Sequence, residues 1–197
     1  KATSVFSSSG LGIHTATYGM EFMGDDYHQV VRGTRLAFEP DGASGFESTP
    51  ALVEPVVEAR SPDTEYSVLS AYFQDEISLG DRFVIIPGLR YDSYRAKADT
   101  KTAGYETSLI DDALSKKTAL SPKLGLIARL SAGQNLTLNI GRGFRMPSSG
   151  ELYYAFNMGN IFYIVPNPSL KPETCLNYEL GHKFQTERLY GGSGVFF

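Results

Sequence analysis

Gln134-Asn135-Leu136-Thr137-Leu138-Asn139-Ile140-Gly141 alternates without a break. Leu136, Leu138 and Ile140 point one way, while Thr137 and Asn139 point the other. A period of two over such a run is the signature of a half-buried β-strand. The segments on either side repeat it. In Lys123–Leu130, Leu124, Leu126, Ala128 and Leu130 oppose Lys123, Gly125 and Arg129. In Asn177–Phe184, Tyr178, Leu180 and Phe184 oppose Asn177, Glu179, Gly181 and Lys183. Further out, Ile13–Phe22 sets His14, Ala16, Tyr18, Met20 and Phe22 against Thr15, Thr17, Gly19 and Glu21. Arg82–Tyr94 sets Phe83, Ile85, Leu89 and Tyr91 against Arg90 and Asp92, more weakly. Tyr66–Ile77 and Val30–Phe38 are less regular. With the rising segment at the end of the chain, about eight strands are expected. Helical periodicity is poor, and Asp111–Lys117 is expected to form at most one short turn within a loop.

The connections carry a second signal. Short turns are expected near Gly24–His28, Leu79–Asp81, Ser131–Gln134 and Gln185–Arg188. Long polar or Gly/Pro-rich segments fall near Pro40–Asp63, Lys97–Lys117 and Pro147–Pro172. Short and long alternate strictly. A soluble sandwich has no reason for this, whereas an outer-membrane barrel does, with short turns at one end and long loops at the other. The fold class expected is therefore all-β: an antiparallel transmembrane β-barrel segment. In such a barrel the apolar side faces lipid. Lys123, Arg129, Thr137, Asn139, Glu179, Lys183, Arg90 and Asp92 would then line the interior.

Composition sets limits around this reading. The 197 residues are 42% hydrophobic and 20% charged, with a net charge of −4, which disfavours nucleic acid as a partner. No run of about 18 apolar residues encodes a transmembrane helix. The 12 Tyr and 12 Phe suit the aromatic girdles of a barrel, and equally a soluble β-rich domain. The single cysteine, Cys175, excludes an internal disulfide and reads as a small residue on a strand. His14, His28 and His182 form no metal-binding pair, and no enzyme signature is present. His14 and His182 read as polar handles at an interface, and His28 as a turn residue. Asp25-Asp26 and Asp111-Asp112 supply too few oxygens for Ca²⁺.

Gly143-Phe144-Arg145-Met146-Pro147 follows the first strand directly. After Gly150-Glu151-Leu152-Tyr153-Tyr154 comes Pro166-Asn167-Pro168-Ser169-Leu170-Lys171-Pro172. These two boxes resemble the FRAP and NPNL boxes of TonB-dependent outer-membrane receptors, most closely the haem and haemoglobin receptor branch. Ser70–Ile77 resembles that family's FxQDE strand, Ile86–Asp92 its PGLRYD strand, and Ser121–Gly125 its SPKLG strand start. The resemblance implies a barrel of about 22 strands around a plug. Residues 1–197 would be a partial barrel domain, since neither plug nor TonB box is visible. A free arc with two open edges is expected to aggregate rather than fold as a monomer in water.

The resemblance also implies a function: capture of haem, or of haem from haemoglobin or another carrier, and import driven through TonB–ExbB–ExbD. It implies the outer membrane of a Gram-negative bacterium, with outer-membrane lipid around the barrel and no permanently bound cofactor. The loop residues expected to meet ligand are Phe144, Arg145, Pro147, Tyr153, Tyr154, Met158, Tyr163, Asn167, Pro168 and Leu170. Haem receptors commonly place an iron-liganding histidine between the boxes, but none lies between Arg145 and Asn167 here. Met158, Tyr153 or Tyr154 would have to substitute. Arg145 has a plainer role available, pairing with Glu151 or Glu173. A ferric siderophore is the alternative ligand, and a non-transporting adhesive β-domain the alternative class.

Overall fold

The computed structural model of the chain describes residues 2–8, 12–37, 52–102, 105, 110, 113–157 and 163–197. Along it run β1 (Ala2–Ser8), β2 (Gly12–Tyr27), β3 (Val31–Ala37), β4 (Leu52–Glu58), β5 (Thr64–Leu79) and β6 (Phe83–Ala98). Then come β7 (Leu114–Ser131), β8 (Gln134–Arg145), a short helix α1 (Ser149–Tyr153), β9 (Phe156–Asn157), β10 (Tyr163–Ile164), β11 (Glu173–Gln185) and β12 (Tyr190–Phe196). Eight of the strands form one antiparallel sheet in the order β1-β2-β5-β6-β7-β8-β11-β12. β3–β4 and β9–β10 are separate hairpins within the long connections.

Register turns the alternation into two faces. Ile77, Ile85, Leu126, Leu138, Leu180 and Val195 stand opposite one another in a single row across six strands. Thr17, Gln74, Gly88, Lys123, Gly141 and Asn177 form the corresponding row on the other face. The apolar face is open to its surroundings: Phe22 is 75% and Met20 70% exposed. Water would penalise that much bare apolar surface, whereas hydrocarbon would not. Glycine has a specific use on the polar face. A Cβ at Gly88 would meet Lys123 Cε at 2.6 Å, so the missing side chain gives the lysine stem its room. Cys175 lies exposed on β11 beside Gly143, a small residue on a strand.

Three boundary expectations need correction. Gly24–His28 is not a turn. Gly24, Asp25, Asp26 and Tyr27 continue β2 and pair with Ser67, Tyr66, Glu65 and Thr64. Their turn-like composition is overridden by the ladder to β5, because strand preference depends on neighbours more than on the residue itself. Val31–Ala37 is a strand, but it pairs with β4 in a loop hairpin instead of joining the sheet. Its place among the eight is taken by β1. Leu114–Lys117 belongs to β7, so no turn forms there; Asp111 and Asp112 lie outside the described residues. The alternation of connections survives these changes. Short links join β1 to β2, β5 to β6, β7 to β8 and β11 to β12, and long ones join the rest.

A buried polar pair interrupts the apolar face. His14 and Asp75 are each 8% exposed, and His14 Nδ1 lies 2.6 Å from Asp75 Oδ2. Asp75 stands where the β5–β6 ladder skips a step: Gln74 pairs with Gly88 and Ile77 with Ile85, but nothing pairs between them. Pro87 falls in that gap and has no N–H to donate.

Candidate functional site at the long-loop end

Most buried apolar residues of the described chain gather above the sheet, where the long connections meet. Ala96, Ala98, Leu152 and Tyr153 form one cluster, with Tyr66, Ile110, Ala113 and Leu170 packed against it. Ala59, Tyr105 and Ala155 form a second, again with Ile110. A sheet with an open apolar face buries little by itself, and most of the apolar burial comes from loops folding onto its rim.

Helix α1 starts the 146–172 connection. Ser148 is its N-cap, and Glu151 closes a capping box: Glu151 N–H donates to Ser148 Oγ at 3.3 Å, and Ser148 N–H donates to Glu151 Oε2 at 2.8 Å. Ser148-x-x-Glu151 is a local helix-start pattern, complete within four residues. Arg145, the last residue of β8, then ties both ends of the connection together. Its Nη1 and Nη2 donate to Glu151 Oε2 and Oε1, both at 2.9 Å. Its Nε and Nη2 donate to Glu173 Oε2 and Oε1 at 2.9 and 2.8 Å. The planar fork thus grips two carboxylates at once.

The second box is stitched to the same helix. Asn167 N–H donates to Leu152 O at 2.9 Å, and Asn167 Oδ1 accepts from Ser169 Oγ at 2.5 Å and from Ser169 N–H at 3.2 Å. Ser115 Oγ donates to Pro168 O at 3.0 Å, and Leu170 packs on Tyr153. Tyr153 itself is 0% exposed. Its hydroxyl lies 3.2 Å from Ala96 O and 3.3 Å from Ala113 O, and its own carbonyl accepts from Tyr105 at 2.7 Å. Phe144 sets its ring edge-on to Tyr94 at 5.6 Å, and Pro147 is buried.

The sequence-derived residues therefore separate into groups. Arg145, Pro147, Tyr153, Asn167, Pro168 and Leu170 build the loop base. Tyr163 is 69% exposed on β10, and Tyr154 is half-buried between α1 and β9. Met158 lies outside the described residues. Three residues that the boxes do not advertise complete the arrangement. Tyr105 reaches across from the 99–113 connection. Arg60 accepts Ala155 N–H on its carbonyl at 2.7 Å and lays its guanidinium over the Phe156 ring at 4.5 Å. Ser115 anchors the second box.

Electrostatics make the clasp pH-dependent in one direction. Arg145 beside Glu151, helped by Ser148, pulls the Glu151 carboxyl down from 4.5 to about 2. A group with a depressed native pKa contributes in full above its unfolded value and loses that contribution as pH falls through the native one. The clasp is expected to hold at pH 5 and above and to weaken between about 4.5 and about 2. Cleavage of the 146–172 loop by an acid-active protease, followed stepwise from pH 5 to pH 2, checks this. Glu151→Gln should be cleaved at pH 5 as the native chain is at the low end.

Within the sheet a second polar cluster marks the opposite face from the apolar rows. Arg90 Nε donates to Asp92 Oδ1 at 2.9 Å, Nη1 to Glu21 Oε2 at 2.9 Å and Nη2 to Ser70 Oγ at 2.9 Å. Ser70 Oγ in turn donates to the fully buried Asp92 at 2.6 Å. Beside it lies an open concavity of ≈ 590 Å³ whose lining includes Tyr72, Gln74, Lys123 and Asn177. Arg90, Asp92, Lys123, Asn139 and Glu179 all belong to this face, as the alternation requires.

An antiparallel arc with one apolar face, one polar face and long connections at one end is part of the wall of a large β-barrel. The chain belongs to the TonB-dependent receptor family: the family described as "TonB dependent receptor-like, beta-barrel" matches residues 3–197. A hemin receptor of Yersinia enterocolitica is 37% identical over 61% of this chain and 17% of its own length. Hemoglobin-haptoglobin utilization protein B of Neisseria meningitidis is 34% identical over 56% of the chain and 14% of its own length. The ferric enterobactin receptor PirA of Pseudomonas aeruginosa is 26% identical over 79% of the chain and 20% of its own length. The chain thus spans a fifth or less of these relatives. Among solved structures, a double mutant of the Serratia marcescens hemophore receptor HasR, in complex with its hemophore HasA and heme, superposes with a TM-score of 0.64. That likeness covers 98% of this chain and 31% of HasR at 18% identity, and it establishes the fold.

Proposed function

We propose that this chain forms part of the barrel of an outer-membrane receptor that takes up haem, free or from haemoglobin, with energy delivered through TonB–ExbB–ExbD in a Gram-negative bacterium. The observation that carries the reading is the convergence of the two boxes. Residues more than twenty apart in the chain are knitted into one loop base at the long-loop end, in a chain 37% identical to a hemin receptor over the matched part. In this reading the long-loop end is extracellular, and the apolar face meets outer-membrane lipid. The protein works by binding and transport and catalyses no reaction; haem is cargo. Plug and remaining strands come from outside residues 1–197.

The loop geometry narrows which residues would meet the cargo. Arg145 spends four donor contacts on two glutamates, and Tyr153 spends its hydroxyl on the rim. Both serve as supports in this reading. Tyr163 and Tyr154 are left as candidate contacts, with Met158 beside them in sequence. A Tyr phenolate or a Met thioether can ligate haem iron. The test is a haem titration of the detergent-purified receptor carrying this chain, followed through Soret absorbance. A saturable shift, altered in position by Tyr163→Phe, Tyr154→Phe or Met158→Ala and unaltered by Arg145→Lys, supports haem and the division of roles. No shift with haem or haemoglobin sinks the reading. The missing histidine between the boxes and the kinship with a ferric enterobactin receptor favour a ferric siderophore as the second reading.

A further inference from the structure

Three long connections meet at one point. From 99–113, Tyr105 donates to Tyr153 O at 2.7 Å. From 28–63, Arg60 accepts Ala155 N–H at 2.7 Å and covers Phe156. From 146–172, Tyr153 fills the space between them at 0% exposure, its hydroxyl on the backbone of Ala96 and Ala113. These ties are backbone carbonyls and ring packing, so they fix the height and angle of the segment that leads into β9.

We infer that Tyr105 and Tyr153 are positioning residues that lock the three connections into one body, so that the β9–β10 hairpin is set by its neighbours as much as by its own loop. Isolated loops of this length open independently, each with its own small free energy. Loops sharing a buried hub open together or not at all. The same ties reduce the ordering cost when a ligand settles on the hairpin. That last consequence rests on the ligand-capture reading above; the mechanical coupling does not. The hub is also durable in alkali. Burial, with Tyr153 as a further cause, pushes the Tyr105 phenol up to about 12, so it stays a donor well above neutrality.

The test is amide hydrogen exchange by mass spectrometry on the whole detergent-solubilised receptor carrying this chain. Tyr105→Phe keeps the ring and removes one hydrogen bond. Peptides from 146–157 and from 52–63 should exchange roughly five-fold faster, although the substitution lies in a different loop. Lys101→Ala, an exposed side chain in the same loop, should change neither. Acceleration confined to 99–113 overturns the inference. If Tyr105→Phe gives no folded receptor, Tyr153→Phe is measured instead, with acceleration expected in peptides from 99–113 and its confinement to 146–157 overturning the idea. Haem affinity, read by the Soret titration on the same variants, is expected to fall by a similar factor. Coupled exchange with no haem binding by native receptor leaves the hub standing and removes the haem reading alone.

Discussion

Tyr153→Ala should detach the 146–172 loop from the rim while leaving the sheet folded. The side chain is fully buried among Ala96, Ala98, Leu152 and Leu170, and truncating a buried aromatic costs about 3–5 kcal/mol. It also strips Ala96 and Ala113 of a donor in a place where water enters poorly. Because the ring stands above the ladder and not in it, that loss belongs to the loop. Amide protection across 146–157 should drop by two orders of magnitude or more, roughly as that free energy implies. Thermal unfolding of the barrel in detergent should stay near the native value. Tyr153→Phe, which keeps the packing, should cost only about 1 kcal/mol. Equal losses in the two variants would mean that the hydroxyl, not the ring, holds the loop. A fall in barrel stability matching the loop loss would mean that the two do not unfold separately.

The second large effect lies in the sheet. His14→Leu leaves the Asp75 carboxyl buried on the apolar face without the imidazole at 2.6 Å. Breaking one half of a buried pair costs about 3–5 kcal/mol, because the survivor has lost its compensation. Asp75→Leu should behave similarly, whereas His14→Leu with Asp75→Leu together should recover most of the loss. Hydrocarbon and packed neighbours both accept leucine on that face. Urea unfolding of the receptor in lipid vesicles, run as a double-mutant cycle, reads the coupling directly. Additive losses would show that the two groups do not act as a pair in the membrane. The pair sits at the gap in the β5–β6 ladder between Gln74–Gly88 and Ile77–Ile85, where Pro87 has no N–H to donate.

Most strands of the sheet are legible in the chain; β1 is not, and Val31–Ala37 reads as one of them although it lies in a loop hairpin. Period-two alternation in Gln134–Gly141 and its neighbours sets which residues share a face, and the observed row of Ile85, Leu126, Leu138 and Leu180 follows it. Side-chain direction in a strand is a local property, set by the pleat, so local pattern suffices. The alternating loop lengths likewise survive, because they reflect which end of the sheet each connection must cross. Strand ends were not legible. Gly24-Asp25-Asp26-Tyr27 has turn composition, yet its backbone groups are claimed by β5, a segment that begins at Thr64, on the far side of the β3–β4 hairpin.

The candidate site divides the same way. The two boxes could be recognised as words, and Ser148-x-x-Glu151 as a helix start, because capping acts over three residues. What each word does was decided only by the tertiary structure. Arg145 had two partners available and takes both, because β8 and β11 run side by side and α1 begins between them. Tyr153 and Tyr154 are adjacent and chemically alike, but one points into the rim at 0% exposure and the other remains half-buried. Tyr105 and Arg60 carry no motif at all. They matter through contacts between residues 48 or more positions apart in the chain, which folding creates and no local pattern announces.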